Sequence, residues 1–306
     1  YATVKTADDI LEHIGALTFA PGTSAGITGL AKLYKAMAYG FLVEAFDKIS
    51  IDKGATFVDR ATALNEILSL LASAKSDVTG TTLTTDFTGS ILSPNFDLLN
   101  TIRAMQARYS LAAGSYDNAL NFANEVPPSA TSVVTYAGAD LNPFADLFHG
   151  SKFFGAISSY RTSAEAGDTR VDKNTKTTAF AALNGASTFE TNLFNANNEP
   201  IPVFTQDELS LIRAEAQARL NRLPEAIAQI NIVRARAGLA AKTSADLPTQ
   251  AAVLDEIFKQ RTYSLFAMGL HWADERRFGK ISLAKVATLP YPFTLCATNP
   301  ATPSCP

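Results

Sequence analysis

The side chains that could do covalent or metal chemistry in this sequence are few and scattered. His13, His149 and His271 stand far apart, and none has metal-ligand spacing. Neither a G-x-S-x-G nucleophile elbow nor an H-E-x-x-H zinc motif occurs. The densest polar group is His271, Asp274, Arg276 and Arg277 in LHWADERRFGK, around the single tryptophan, Trp272. General acid–base work needs a cleft and a partner within hydrogen-bond reach. The group therefore reads as a polar cluster capping helix ends, with Trp272 packed structurally rather than stacked on a sugar ring. A glycosidase would be recognised by the separation of two carboxylates, which sequence does not supply, and an exported all-α hydrolase is the least favoured function. No catalytic residue, metal site or cofactor is expected.

Aromatic rings set among amides and hydroxyls offer a different chemistry. From Pro127 to Pro202, Tyr136, Phe144, Phe148, Phe153, Phe154, Tyr160, Phe189 and Phe194 are spread through Asn, Asp, Ser and Thr. Carbohydrate and peptide sites use this composition, with ring faces for stacking and amides and carboxylates for directional hydrogen bonds. Most of these rings should be buried, pinning a long loop to a scaffold. Tyr136, Tyr160, Phe154 and Phe189 are the candidates for ligand contact, the tyrosines first because a hydroxyl at the end of a ring suits a wet site. Asp168 and Arg170 in GDTRV read as a structural turn with an internal ion pair. The stretch 127–202 has little sustained helical period, and so long an irregular connection is unusual unless it is functional.

Helices must position that stretch. Ala7 to Ala16 reads as a short helix, Phe19 to Gly26 as a loop, and Ile27 to Ile49 as a long helix central to the core. Asp59 to Lys75 is amphipathic, and the threonine-rich run from Asp77 to Asn95 reads as a loop rather than an edge strand. Two helical hairpins follow, Phe96–Ala113 with Tyr116–Val126, and Leu209–Gly238 turning at Asn221–Pro224. Pro224 is tolerated in a first helical turn and Gly238 suits the position just past the last. Laid so that Ala107 meets Ala214, the hairpins also match Leu111 with Ala218, Ala119 with Ala226, Leu120 with Ile227 and Val126 with Val233. One template used twice argues for tetratricopeptide-like packing. Gln250 to Met268 is a last long helix, closed by Gly269. The expected class is all-α: a single domain over 1–306, with helical hairpins in 7–126 and 203–280, an irregular and possibly ligand-binding insertion at 127–202, and a tail at 281–306.

Composition narrows the function. Among 306 residues, hydrophobic residues make up 47% and charged ones only 18%, with a net charge of −3. No basic stripe is present to meet phosphates, which argues against nucleic acid. No run of roughly 18 apolar residues is present to span a bilayer, and Tyr1 opens without a signal-peptide pattern. The chain is expected to be cytosolic or a mature piece of something longer. Cys296 and Cys305 lie in a Pro-rich tail. A disulfide loop between them is the preferred reading, adding about 2 kcal/mol and implying an oxidising compartment; two free thiols are the alternative.

Two phrases carry a resemblance to a known family. Ala214-Glu215-Ala216, Ala226, Ile230-Asn231, Val233-Arg234 and Arg236-Ala237-Gly238 follow the pattern AEA…A…IN.VR.RAG. Ile257, Arg261, Leu265, Gly269, Trp272, Asp274, Arg276, Arg277 and Gly279 follow I..ER..EL..EG.RW.DLRR.G. The chain thereby resembles the SusD/RagB family of surface nutrient-binding lipoproteins of Bacteroidetes-type bacteria. LAKLYKAMAYGFLVEAFDKISI looks like the family's early helix, and GDTRV like its DPR turn. Gln260, Ser264, Met268, His271 and Glu275 depart from the family's Glu, Glu, Glu, Arg and Leu, so any ion pairs of those carboxylates must be absent or replaced here. The resemblance implies a non-enzymatic protein at the outer-membrane surface that captures oligosaccharides, or peptides, for a SusC-type TonB-dependent transporter. Membrane attachment would be through a lipid-bearing cysteine absent from this chain, which would then be a trimmed piece or a compact member. A helical-repeat adaptor that binds only protein partners is the alternative.

Overall fold

Pro21, placed by the sequence reading in a loop, instead opens the longest helix of the protein. The computed structural model describes residues 1–51, 56–181, 187–281, 288–292, 295–296 and 302–303. In it, α1 (Ala2–His13) passes through a 3₁₀ turn into α2 (Pro21–Ala45). An antiparallel pair, β1 (Lys48–Ser50) and β2 (Phe57–Asp59), leads to α3 (Arg60–Gly80). A π-helical turn at Phe87–Ile91 precedes α4 (Leu98–Ala112) and α5 (Tyr116–Glu125). Then come β3 (Ser132–Val134), α6 (Pro143–Ala145), a second π-helical turn (Asp146–Gly150), β4 (Ala156–Ile157), α7 (Ser158–Thr162) and α8 (Thr169–Asn174). After them run β5 (Thr175–Ala181), β6 (Ser187–Thr191) and β7 (Ile201–Phe204). Four more helices follow, α9 (Gln206–Arg219), α10 (Leu223–Arg236), α11 (Gln250–Ser264) and α12 (His271–Arg277). The chain divides into two compact units, one made of Tyr1–Ser93, Leu98–Pro127 and the segment from Trp272 on, the other of Pro94–Asp97 and Pro128–His271.

In the first unit, the glycines at the start of α2 serve close packing. A Cβ on Gly22 would stand 2.1 Å from the Thr82 carbonyl oxygen, and one on Gly26 would stand 2.6 Å from the Phe87 ring. The helix can therefore begin at Pro21, whose missing N–H costs nothing in a first turn. The threonine-rich run turns out partly helical, because α3 continues to Gly80 and Phe87 buries its ring completely. Asp59 caps α3 by accepting the Thr62 N–H at 2.8 Å. The α4/α5 hairpin turns at Gly114 (φ +74°) and buries Ala107, Leu111, Ala119 and Ala123. From the tail, Tyr291 stacks on Phe46 with ring centroids 5.3 Å apart and bonds to the Lys48 backbone. Cys296 is described, but Cys305 lies outside the described residues, as does most of the expected tail.

In the second unit, α9 and α10 form the expected hairpin. Asn221 takes a left-handed turn (φ +60°), Pro224 sits in the first turn of α10 and Gly238 (φ +73°) follows its end. Helix α11 packs against both and stops at Ser264, short of the expected Met268, because Ala267 and then Gly269 adopt positive φ. Arg234 is 1% exposed and anchors the packing. Its guanidinium bonds Glu256 (2.6 Å), both oxygens of Glu165 (2.6 and 3.0 Å) and the Ala240 carbonyl (2.7 Å). Gln260 donates to Glu256 at 2.8 Å, so an amide completes the cluster where the family pattern has a carboxylate.

The stretch read as irregular holds β3 to β7. Strand β3 pairs antiparallel with β7, and β4, β6 and β5 form a second antiparallel sheet in that order. These strands span two to seven residues and two of the pairings are interrupted by bulges, which leaves too short an alternation for a sequence pattern to reveal.

Candidate ligand-binding surface

The sheet β4–β6–β5 sorts the aromatic residues into an inner and an outer face. Ala156 pairs with Phe189 and Phe189 with Ala179 in one row; Ile157, Thr188 and Phe180 form the next. Residues paired across antiparallel strands share a face, and successive residues alternate. In β4, Ala156 is 1% exposed and Ile157 61% exposed, whereas across the sheet Thr188 is buried and Ala179 is exposed, so the clean inner and outer alternation holds at β4.

Tyr160, Tyr263, Phe266 and Phe189 meet on the inner face. The Tyr160 ring lies 4.9 Å from Tyr263 and 4.6 Å from Phe266. Its hydroxyl accepts from Asn174 Nδ2 at 2.8 Å and donates to the Tyr263 carbonyl at 3.3 Å. Burial, partly opposed by the Asn174 bond, pushes this hydroxyl up to about 12. Tyr160 is thus a core residue with its polar atom satisfied inside, not the wet contact read from its hydroxyl. Phe189 is half-buried, and the Arg161 guanidinium covers its ring at 5.6 Å. Tyr136, just past β3, is half-buried, and desolvation raises its hydroxyl above the ordinary phenol range.

Phe154 behaves differently. Asn142 holds the start of the preceding segment by accepting the Phe144 N–H and donating to the Glu199 carbonyl. Phe144, Phe148 and Phe194 stack with centroids 5.3 to 6.2 Å apart and pin it from beneath. The chain then turns at Lys152 (φ +50°), with both Phe153 and Phe154 donating their N–H to the Leu147 carbonyl. The two rings are left 43% and 57% exposed. Gly155 follows, and a Cβ there would stand 2.7 Å from both the Phe180 ring and the Phe189 carbonyl oxygen. Only glycine lets the strand pass beneath Phe180. Phe153, Phe154 and Ile157 are therefore the exposed apolar side chains here, with Phe180 half-buried over Gly155. The sequence reading missed Phe180, whose run KTTAFA carries no clear alternation of polar and apolar residues.

A polar rim borders these rings. Glu190 accepts from Lys152 at 2.8 Å and from Lys176 at 3.3 Å. The Lys152 hydrogen bond first, with Lys176 adding to it, holds this carboxyl below the usual range. Thr177 and Thr178 of β5 are exposed beside it in sequence. Rings bordered by fixed charges and hydroxyls can stack on the C–H face of a sugar while bonding its hydroxyls. The polar group around Trp272 has another form. Asp274 is 2% exposed and paired with Arg277 at 2.8 Å, while the Arg276 guanidinium lies 6.0 Å from the Trp272 ring and bonds the Glu44 carbonyl. Among the described residues no three His, Cys, Asp or Glu are grouped to hold a metal ion.

Solved structures share this architecture. A SusD-like carbohydrate binding protein from Bacteroides vulgatus superposes with a TM-score of 0.68 at 14% identity, over 90% of this chain and 67% of that one. NanU of B. fragilis gives 0.71 at 14% identity, over 98% and 81%. A SusD superfamily protein from Parabacteroides distasonis gives 0.70 at 16% identity, over 90% and 73%. No curated protein matches the chain in sequence. The fold is that of the SusD-like helical proteins. Residues 149–294, a little under half of the chain, match the SusD family model, and over that stretch the chain is similar to the SusD/RagB family.

Proposed function

We propose that this protein is a non-catalytic, cell-surface binding protein that captures oligosaccharides and passes them to a SusC-type TonB-dependent transporter in the outer membrane. The observation that carries the proposal is the solvent-facing group of Phe153, Phe154 and Ile157 beside the Lys152–Glu190–Lys176 rim. Exposed rings on a backbone tied down by the Leu147 carbonyl spend less freedom on binding, which favours capture by a preorganised surface. The carbohydrate-binding relative from B. vulgatus supports the ligand class. Membrane attachment would be through a lipid anchor, and among the described residues no helix is long and apolar enough to cross a membrane.

Capture requires no bond to be made or broken. Affinity comes from ring stacking and from hydroxyls meeting the charged rim, and release follows when the transporter competes for the same ligand. Isothermal titration of the wild type against neutral malto-, xylo- and N-acetylglucosamine oligosaccharides tests this. At least one series should bind, and Phe154→Ala should weaken it by roughly tenfold, the equivalent of losing about 1.4 kcal/mol of stacking. Folded protein that binds none of them would contradict the proposal, as would an unchanged affinity in Phe154→Ala.

A further inference from the structure

A concave site lies in the same unit as the aromatic face and shares no residue with it. Helix α8, the first turn of α9, the end of α10 and the end of α11 line a solvent-open cavity of about 470 Å³. That size falls within the ~300–1,000 Å³ range of small-molecule sites. Its polar wall includes Arg170, Lys173, Thr205, Asp207, Arg236 and Ser264.

The charges on this wall do not cancel. Asp207 is fully engaged, accepting from Arg236 at 2.7 Å and from Ser264 at 2.9 Å. Arg170 is committed to Asp168, at 2.6 and 2.9 Å, and to Ser264 at 2.8 Å. Lys173 is exposed and pairs with no carboxylate among the described residues. The Arg236 side chain remains 47% exposed, so its guanidinium has donors left for a ligand. The positive end of the α9 dipole adds to the excess.

We propose that this cavity binds the carboxylate of an acidic sugar unit, met by Lys173 and Arg236, while the hydroxyls of Thr205 and Ser264 border the ring. The inference rests on the reading of the protein as a glycan binder and assigns it a charged ligand class at a separate site. A bare inorganic anion would neutralise the cations but would leave most of a space this large empty.

The probes are D-galacturonate, D-galactose and inorganic phosphate, each titrated by calorimetry into the whole protein. Galacturonate should bind saturably, galactose at the same concentrations should not, and added salt should weaken binding. Lys173→Glu should reduce galacturonate affinity at least about tenfold, with an unchanged melting temperature because Lys173 holds no internal pair. Arg236→Gln should reduce it in the same direction, and Phe154→Ala should leave it unchanged. Galacturonate binding that is absent, matched by galactose or indifferent to Lys173→Glu would overturn the inference. Phosphate binding as tight as galacturonate would overturn the sugar assignment in favour of a plain anion site. Neutral-oligosaccharide binding that is sensitive to Phe154→Ala, with no galacturonate binding, removes the cavity site and leaves the proposed function standing. The reverse pattern removes the aromatic face and keeps the cavity.

Discussion

Phe154 and Tyr160 lie six positions apart in sequence terms that look alike, an aromatic ring beside serines and glycines, yet the sheet assigns them opposite roles. Tyr160 points into the core and spends its hydroxyl on Asn174 and the Tyr263 carbonyl. Tyr160→Phe should therefore cost about 1 kcal/mol in urea unfolding and leave glycan affinity unchanged; a loss of affinity at constant stability would return Tyr160 to the binding surface. Glu165 makes a pH-dependent contribution. The Arg234 hydrogen bonds first, with Lys259 adding to them, lower its pKa from the ordinary 4.5 to about 2. A carboxylate lowered on folding contributes stability that is fully present above about 4.5 and is lost as pH falls through about 2. Glu165→Gln should be less stable than the wild type by about 2 kcal/mol at pH 7. The gap should close as acid protonates the wild-type carboxyl, and a gap independent of pH between 5 and about 2 would contradict this account.

At the level of elements, the helices were readable and the strands were not. Ile227, Ile230 and Val233 repeat at helical spacing and are all buried, and the turn residues Asn221, Pro224 and Gly238 fall where the α9/α10 hairpin needs them. The inner and outer rows of β4–β6–β5 were hidden because β4 contributes only two residues and the pairing of β5 with β6 is bulged. Of the surface itself, Phe154 was legible from composition. The half-buried Phe180 was not, since its place depends on Gly155 passing beneath it, a contact distant in sequence. Glycine was misread in the same way in α2, where it signals close approach rather than a loop. Gly40 shows the cost: an added Cβ would stand 2.0 Å from the Tyr109 hydroxyl, so Gly40→Ala should destabilise by about 1–3 kcal/mol despite the better helix propensity of alanine. Thermal unfolding that shows a stabilised variant would mean that α2 and α4 are not packed as described.

For the molecule as a whole, the tetratricopeptide-like hairpins act as scaffold. The α9/α10 hairpin holds its place through Arg234, and Arg234 ties it to Glu165 in the stretch between α7 and α8. The aromatic face proposed to meet neutral glycans belongs to the segment 127–202, whereas the proposed cavity draws Thr205, Arg236 and Ser264 from the helices and their caps. In the proposed reading the helical hairpins supply rigidity, and the short sheet with the loop before it supplies the surface. The most direct test of that division is calorimetric titration of the wild type and the Phe153→Ala/Phe154→Ala double variant with the neutral oligosaccharide panel, with melting curves alongside. The account predicts binding of at least one oligosaccharide by the wild type and a loss of at least roughly tenfold in the double variant, at an unchanged melting temperature because both rings are already exposed. Equal affinity in the two proteins would contradict it.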